Sequence, residues 1–541
     1  MSTPTPNEER SREGEQSTPR VTFVFAGLML AMLAASLNQT VLNPALPTIV
    51  GELHGVDRML WVITAYILAS TIMMPVYGKL GDLFGRKPLL LTALTIFLIG
   101  STIGALAGDI TWLIVGRAVQ GAGGGGLMVL SQATIADVIP ARQRGRYLGI
   151  MSSVFAVSSV AGPLLGGWFT EGPGWRWVFW INLPIGALAI AAAVIFLRLP
   201  RVSGSGRRID VLGMAVLSVA TTLLVLVATW GGSRYPWTSP VTVALIAATL
   251  ACGVLFVTIE RRAAEPVIPL HLFRDRNFDV ATLAGLVVSI ALFGVAAYMP
   301  TYLQMVAGKS ATAAGLLMLP MMGSMFLTST LAGRFVTRTG RYKRIPVAGS
   351  VLVTVGLVLL STLDAGTPVW VTCCWFAVLG VGFGTAMQIL VLVVQNSFPV
   401  EEVGTATAGN NYFRQIGATL GSAVVGSVFA ARLAGGLSAV GLGDDADSLT
   451  PGTVHGLPDA LRQPVLDAYN DALVPIYLYI APLVVVAGIL LCFVVEKPLA
   501  TTIVRKNESS ASVPEATAST SRAAAAPSTT PVAESHAGRR G

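Results

Sequence analysis

Few residues of this chain carry charge inside an apolar run, and those few bound its chemistry. Arg117 lies in the run 110–138 and Arg414 in the run 403–431, with Gln120 one turn beyond the first and Gln415 beside the second. An arginine at the centre of a membrane helix costs about 2.5–3.5 kcal/mol on insertion scales, so it faces an interior, takes a partner and points to ion or solute handling. Asn38 sits in the first run, where an amide neither takes up nor releases a proton near neutral pH. Asp137 stands at the far end of the run that holds Arg117. The loop 78–88 gathers Gly78, Asp82, Gly85, Arg86 and Lys87. Its glycines permit tight turns, and its charges can latch two parts together and release them as solvation changes. Gly162, Pro163 and Gly166 form the third constellation. Proline breaks one helical hydrogen bond and glycines admit a close neighbour, which suits a hinge or seal. Each feature has a plainer reading: a carbonyl-bonded structural arginine, a solvated basic loop, simple helix packing.

Enzyme chemistry finds no foothold. The chain has no HExxH and no GxSxG, and Gly308-Lys309-Ser310 lacks the leading glycine of a phosphate loop because Leu303 stands there. Cys252, Cys373, Cys374 and Cys492 lie in apolar stretches without metal-ligand spacing and read as small buried hydrophobes. No catalytic residue, metal or cofactor is expected, and with no ATP site active transport must draw on an ion or solute gradient.

The elements that position these residues are membrane helices. The 541 residues are 53% hydrophobic and 12% charged, with mean hydropathy +0.69; a soluble domain carries about 25% charged residues. Fourteen stretches approach the roughly 20 apolar residues that span a bilayer: 21–42, 59–77, 88–107, 110–138, 146–170, 176–198, 209–229, 238–259, 277–304, 311–333, 345–363, 368–397, 403–431 and 472–495. With the N-terminus inside, the inner loops between them hold nineteen Lys and Arg against six in the outer loops. By the positive-inside rule both termini are cytoplasmic. The net charge of +8 is therefore a topology signal, and no nucleic-acid partner is read from it. Residues 1–20 and 496–541 read as cytoplasmic tails, largely disordered, and 432–471 as a longer outer loop.

An internal repeat organises the spans. An offset of 259 carries Gly121, Gly123, Gly125, Pro140, Gly145 and Gly162 onto Gly380, Gly382, Gly384, Pro399, Gly404 and Gly421. An offset of 255 carries Gly78, Gly85 and Arg86 onto Gly333, Gly340 and Arg341, but Asp82 onto Thr337. Arg117 maps to Phe376, Arg414 to Phe155 and Asp137 to Asn396, so repeat symmetry required none of these charges. The chain reads as two parallel six-helix halves, 21–198 and 277–495, with two extra helices within 199–276. Two rocking halves suit a carrier with alternating access better than a channel.

GKLGDLFGRKP (Gly78 to Pro88), LIVGRAVQGAGGGG (Leu113 to Gly126) and AGPLLGG (Ala161 to Gly167) resemble motifs of the major facilitator superfamily. NQTVLNPALPTI (Asn38 to Ile49) and WRWVFWINLPIG (Trp175 to Gly186) resemble its fourteen-span drug:proton antiporters of the EmrB/QacA type. The resemblance covers about 21–500. It implies an all-α polytopic fold and a plasma-membrane exporter that exchanges amphipathic toxic compounds for protons. One departure matters: these antiporters usually carry an Asp where Asn38 stands, and no other span has a central carboxylate. A proton carrier would then be displaced, with Asp137 and Asp82 the first candidates, or would be a carboxylate on the substrate itself. Two deep arginines without an anion favour neutral or anionic amphiphiles as the small-molecule partner. A lipid or metabolite carrier on the same fold, with non-standard coupling, is the alternative.

Overall fold

In the computed structural model the described residues are 6–55, 58–199, 209–232, 235–364, 366–439, 441, 453–454, 456 and 458–501, and helices dominate them. They are α1 (Pro6–Glu52), α2 (Met59–Phe84), α3 (Arg86–Ala105), α4 (Ile110–Val138), α5 (Ala141–Glu171), α6 (Trp177–Phe196, broken at Ile181), α7 (Val211–Trp230), α8 (Pro240–Glu260), α9 (Arg276–Met305), α10 (Thr312–Thr339, broken at Met318), α11 (Arg344–Leu360), α12 (Val369–Gln395), α13 (Val403–Ala439) and α14 (Asp459–Leu491). Thirteen of them are long and apolar enough to cross a membrane, and α11, with 17 residues, is shorter. Apolar runs of this length become helices because only internal hydrogen bonding satisfies a backbone in lipid. Short polar side chains start several of them: Asp109, Asp210, Ser239 and Asp275 each accept from an amide of the first turn.

Two expectations change at the ends of elements. Residues 6–20, read as part of an unstructured tail, continue α1. The outer loop expected over 432–471 is shorter, because α13 runs to Ala439 and α14 begins at Asp459. Residues 502–541 lie outside the described residues.

The repeat is visible as recurring contacts. A Cβ on Gly121 would stand 2.4 Å from the Tyr66 carbonyl of α2, and one on Gly380 2.1 Å from the Met321 carbonyl of α10. Gly123 presses on α3 and Gly382 on α11 in the same way. The α2–α3 and α10–α11 turns pass through Gly85 (φ 91°) and Gly340 (φ 75°), a backbone region that side chains disfavour. One apolar core lies among α1, α2, α4, α5 and α6, a second among α9, α10, α11, α12 and α14, and a third joins residues of both halves.

The inserted pair is unequal. α7 packs against α2 and α13, whereas α8 leaves Val243, Leu250 and Val254 more than half exposed, as lipid contact requires. Arginine and lysine gather at the end where α2, α4 and α10 finish, called the basic end below. All ten tryptophans lie toward the opposite end.

Candidate functional site

A cavity of about 500 Å³ lies between the halves. From the first half it is walled by Gln39 of α1, Ile67 and Met74 of α2, Met128 and Gln132 of α4, and Phe155 of α5. From the second come Ser289, Phe293 and Tyr298 of α9 and Asn411, Arg414 and Gln415 of α13. The last turns of α7, Val225 to Trp230, close one side. Toward the opposite end the lining reaches Leu60, Gly232 and Ser427. The size and the apolar wall with a few convergent polar groups are those of a small-molecule site.

Arg414 is the single charged residue on this lining. It donates to Asn411 Oδ1 at 3.2 Å and to the Met387 sulfur at 3.1 Å, a weak acceptor. Its Nε is buried without a partner. Gly285 of α9 makes room for the stem, since a Cβ there would meet Arg414 Cγ at 3.2 Å. Asn411 in turn donates to Gln132 Oε1 at 2.8 Å, and Gln395 to the Gln132 carbonyl at 3.1 Å. These two bonds cross between the halves and form part of the floor.

Arg117 is placed differently. It is 2% exposed and is not on the cavity lining. It donates to the Val62 carbonyl at 3.1 Å and to Gln120 Oε1 at 2.8 Å, and lies 4.3 Å from the centre of the Tyr66 ring. Gln120 continues to Ser101, which also accepts from Asn182, so the network joins α2, α3, α4 and α6 within the first half. Asn38 is buried beside the cavity wall with neither amide atom in a hydrogen bond, and its neighbour Gln39 is the lining residue.

At the basic end the halves are closed on each other. Arg86 joins Asp82 at 3.0 Å and Asp137 at 2.9 Å, and also donates to the carbonyls of Ala133 and, at 3.0 Å, Val400. Asp82 accepts from the amides of Gly404 (3.1 Å) and Thr405 (2.6 Å) and from the Thr405 hydroxyl (2.8 Å). A carboxylate of the first half thus caps the N-terminus of a second-half helix, where free amides and the helix dipole favour negative charge. Close packing completes the seam: a Cβ on Gly78 would stand 2.2 Å from Ala408 Cβ, and one on Gly333 2.1 Å from the Gly145 carbonyl. Ser152 and Ser329 meet at 2.8 Å, and Arg142 donates to the carbonyls of Thr337 and Arg338. Lys87 instead reaches the Val194 carbonyl within its own half, at 2.9 Å.

Gly162 and Gly166 press α5 onto α1, where added Cβ atoms would stand 2.1 Å from Thr40 Oγ1 and 2.2 Å from the Val41 carbonyl. Pro163 faces away from that contact and is exposed. Sequence reasoning did not single out Met74, Met128, Phe155, Phe293 or the α7 wall; each looks like ordinary apolar helix until the halves are assembled. The methionines spaced along α10, including Met318 and Met321, pack in the second-half core and not on the cavity.

A family model for the Major Facilitator Superfamily matches residues 28–210 and 205–422. An MFS-type transporter of Mycobacterium tuberculosis is 40% identical over 491 residues, covering 89% of this chain and 71% of that protein. Multidrug transporter protein MdtP of Bacillus subtilis is 37% identical over 422 residues, covering 78% and 77%. The crystal structure of the human organic anion transporter MFSD10 superposes with a TM-score of 0.59 at 17% identity, over 88% of this chain and 99% of that one, a likeness of fold.

Proposed function

Because this chain belongs to the major facilitator superfamily, a family of membrane transporters, we propose that it exports amphipathic toxic compounds, neutral or anionic, across the plasma membrane in exchange for protons. The cavity carries this reading: it is large, mostly apolar and shared by both halves, and its one charge is an arginine with donors to spare. A lipophilic anion gains a cation that no carboxylate neutralises, whereas a dication meets like charge in a low dielectric. The likeness to a multidrug transporter of Bacillus subtilis supports drug efflux.

By the positive-inside rule, the excess of Lys and Arg supports reading the basic end as cytoplasmic. In this reading the closed seam is the cytoplasmic gate and the cavity opens outward. The Asp82–Arg86–Asp137 cluster is the latch, and the Gly162–Pro163–Gly166 segment a hinge of α5 against α1. Asp82 and Asp137 are also the displaced coupling carboxylates, since a proton on either weakens its hold on Arg86. One proton falling through 150 mV releases about 3.5 kcal/mol, enough for a gradient of a few hundredfold at about 1.4 kcal/mol per decade.

Drug accumulation in a pump-deleted host tests this, with a panel of dicationic, monocationic, neutral and anionic amphiphiles, with and without a protonophore. The intact chain is expected to lower accumulation of neutral and anionic compounds, and the protonophore to abolish the effect. Arg414→Ala should lose the anionic compounds first. Strong protection against bis-quaternary compounds, or no response from any compound, overturns the reading. Asp137→Asn with ΔpH-driven transport intact removes Asp137 as the proton carrier.

A further inference from the structure

Among the described residues, two buried carboxylate oxygens have no hydrogen-bond partner: Oδ2 of Asp210 and Oε2 of Glu260. Both sit at the basic end of the inserted hairpin, Asp210 just before α7 and Glu260 at the close of α8. The hairpin brings them near enough for the charge of Asp210 to act on Glu260. Glu260 is 3% exposed. Its Oε1 accepts from the amides of Val267 (3.1 Å) and Ile268 (3.3 Å), and Asp210 Oδ1 accepts from Gly213 (2.8 Å). Each carboxyl group therefore gives one oxygen to backbone and leaves the other in dry surroundings.

Lys79 of α2 is the cation whose charge reaches Glu260, and it is already joined to Glu265 at 2.6 Å. Arg261 and Arg262 follow on an exposed turn, and Arg207 and Arg208 precede Asp210 outside the described residues. On the α13 side the titratable group is Tyr412, whose hydroxyl pairs with Thr221 of α7 at 2.8 Å. Glu260, buried beside the charge of Asp210 and, among the described residues, without a cation of its own, is costly to keep ionised and takes up a proton.

We propose that Glu260, with Asp210 as its neighbouring charge, is a proton-binding site at the basic end, and that the bound proton favours the closed seam between the halves. The clamps explain the coupling. The hairpin is tied to α2 at its base through Lys79–Glu265 and to α13 through Thr221, midway along α7, and Tyr412, and Val267 and Ile268 pack with Tyr412. α2 and α13 are the two sides of the seam at Gly78 and Ala408. Parting them breaks a clamp and admits water to the pair. Water stabilises the ionised form, so the closed state binds the proton more tightly than the open one. By linkage, acid on that side favours closure and rising pH favours opening. The site is separate from the cavity and from the Arg86 cluster, and does not require that transport be proton-driven.

Spin labels at the exposed positions Gln143 and Thr339, across the α5–α10 seam, report the state of the full chain in lipid nanodiscs by pulsed distance measurement. The short-distance population is expected to fall about threefold or more as pH is raised from acid to alkaline. Glu260→Gln keeps the acceptor for Val267 and Ile268 but cannot ionise, and should hold the short distance at every pH. Asp210→Asn removes the neighbouring charge and should move the midpoint to lower pH. A merely structural Glu260 would leave both profiles on the native one, and that result, or a native distance that ignores pH, overturns the proposal. Should Glu260→Gln fail to fold, the native chain still decides. Dicyclohexylcarbodiimide, which adds to protonated carboxyl groups in apolar sites, is expected to modify Glu260 in acid and progressively less as pH rises. No modification of Glu260 at any pH also overturns it.

Discussion

Arg117 and Arg414 enter the sequence as equals, two deep arginines without carboxylates, and leave the structure with different work. The donors of Arg117 go to Val62 and Gln120, and its plane lies on Tyr66. Arg117→Ala strips Gln120 of a partner and opens a void, and should lower stability by about 1–3 kcal/mol or more, read as melting temperature in detergent. Arg414→Ala should melt near the native protein, because that side chain already borders open space and lacks a partner at Nε. Equal losses of stability would mean that both arginines are structural. Asp82 is a third case. Removing a buried ion-pair partner costs about 3–5 kcal/mol, so Asp82→Ala should open the basic end, measured as faster alkylation of a cysteine placed at Ala408. Asp82→Asn keeps one acceptor for Gly404 and Thr405 and should have a smaller effect.

Helix contacts here are set largely by glycine. Gly380→Ala forces a methyl against the backbone carbonyl of Met321, which has no rotamer to give way. Gly323→Ala, on α10 with open space around it, removes only backbone entropy from the unfolded chain. The first should lower the melting temperature clearly, and the second leave it unchanged or raise it, by up to about 1 kcal/mol in stability. If both behave alike, the close approach of α10 and α12 is wrong. The inserted hairpin also takes its meaning at this scale: α7 supplies a cavity wall, and α8 faces the lipid. After α14 a short extended segment crosses the basic end. There Glu496 accepts from the amides of Tyr342 (2.6 Å) and Lys343 (3.2 Å), Lys497 pairs with Asp275 (2.7 Å), and Ala500 accepts from the Arg142 amide (3.1 Å). This strap fastens second-half loops to the start of α5, so its loss should loosen the seam that the latch holds.

For the whole molecule, closure of one end and a cavity toward the other follow from the seams at Gly78–Ala408 and Gly145–Gly333. Ser152 and Ser329 meet across that closure at 2.8 Å. In a background without Cys252, Cys373, Cys374 and Cys492, Ser152→Cys with Ser329→Cys should form a disulfide on oxidation, stop transport and recover on reduction. Transport that continues through the cross-link would show that this end need not open. The segregation of basic residues to one end and all ten tryptophans to the other polarises the molecule along the same axis, and the exposed ones, Trp112, Trp168, Trp177, Trp237 and Trp370, suit an interfacial belt.

Hydropathy was enough to read an all-helical membrane fold, glycine register pointed to the duplication, and the motifs at 78–88, 113–126 and 161–167 carried the family resemblance. Those are properties of single helices and of their order, and lipid leaves a long apolar run little choice but a helix. The glycines at 121, 123, 380 and 382 already encoded which helices touch, because a missing Cβ is a statement about a neighbour. Which polar residues meet was decided only by assembly. Arg117 and Arg414 look alike in one dimension, and only packing closes the first inside one half and sets the second on the cavity with its Nε unpartnered. Asp210 and Glu260 are 50 positions apart at the edges of two spans, and neither hints at the other. The hairpin folds them to one end and buries Glu260, and that desolvation, a property of the assembled surroundings and of no residue alone, is what the proposed proton site rests on.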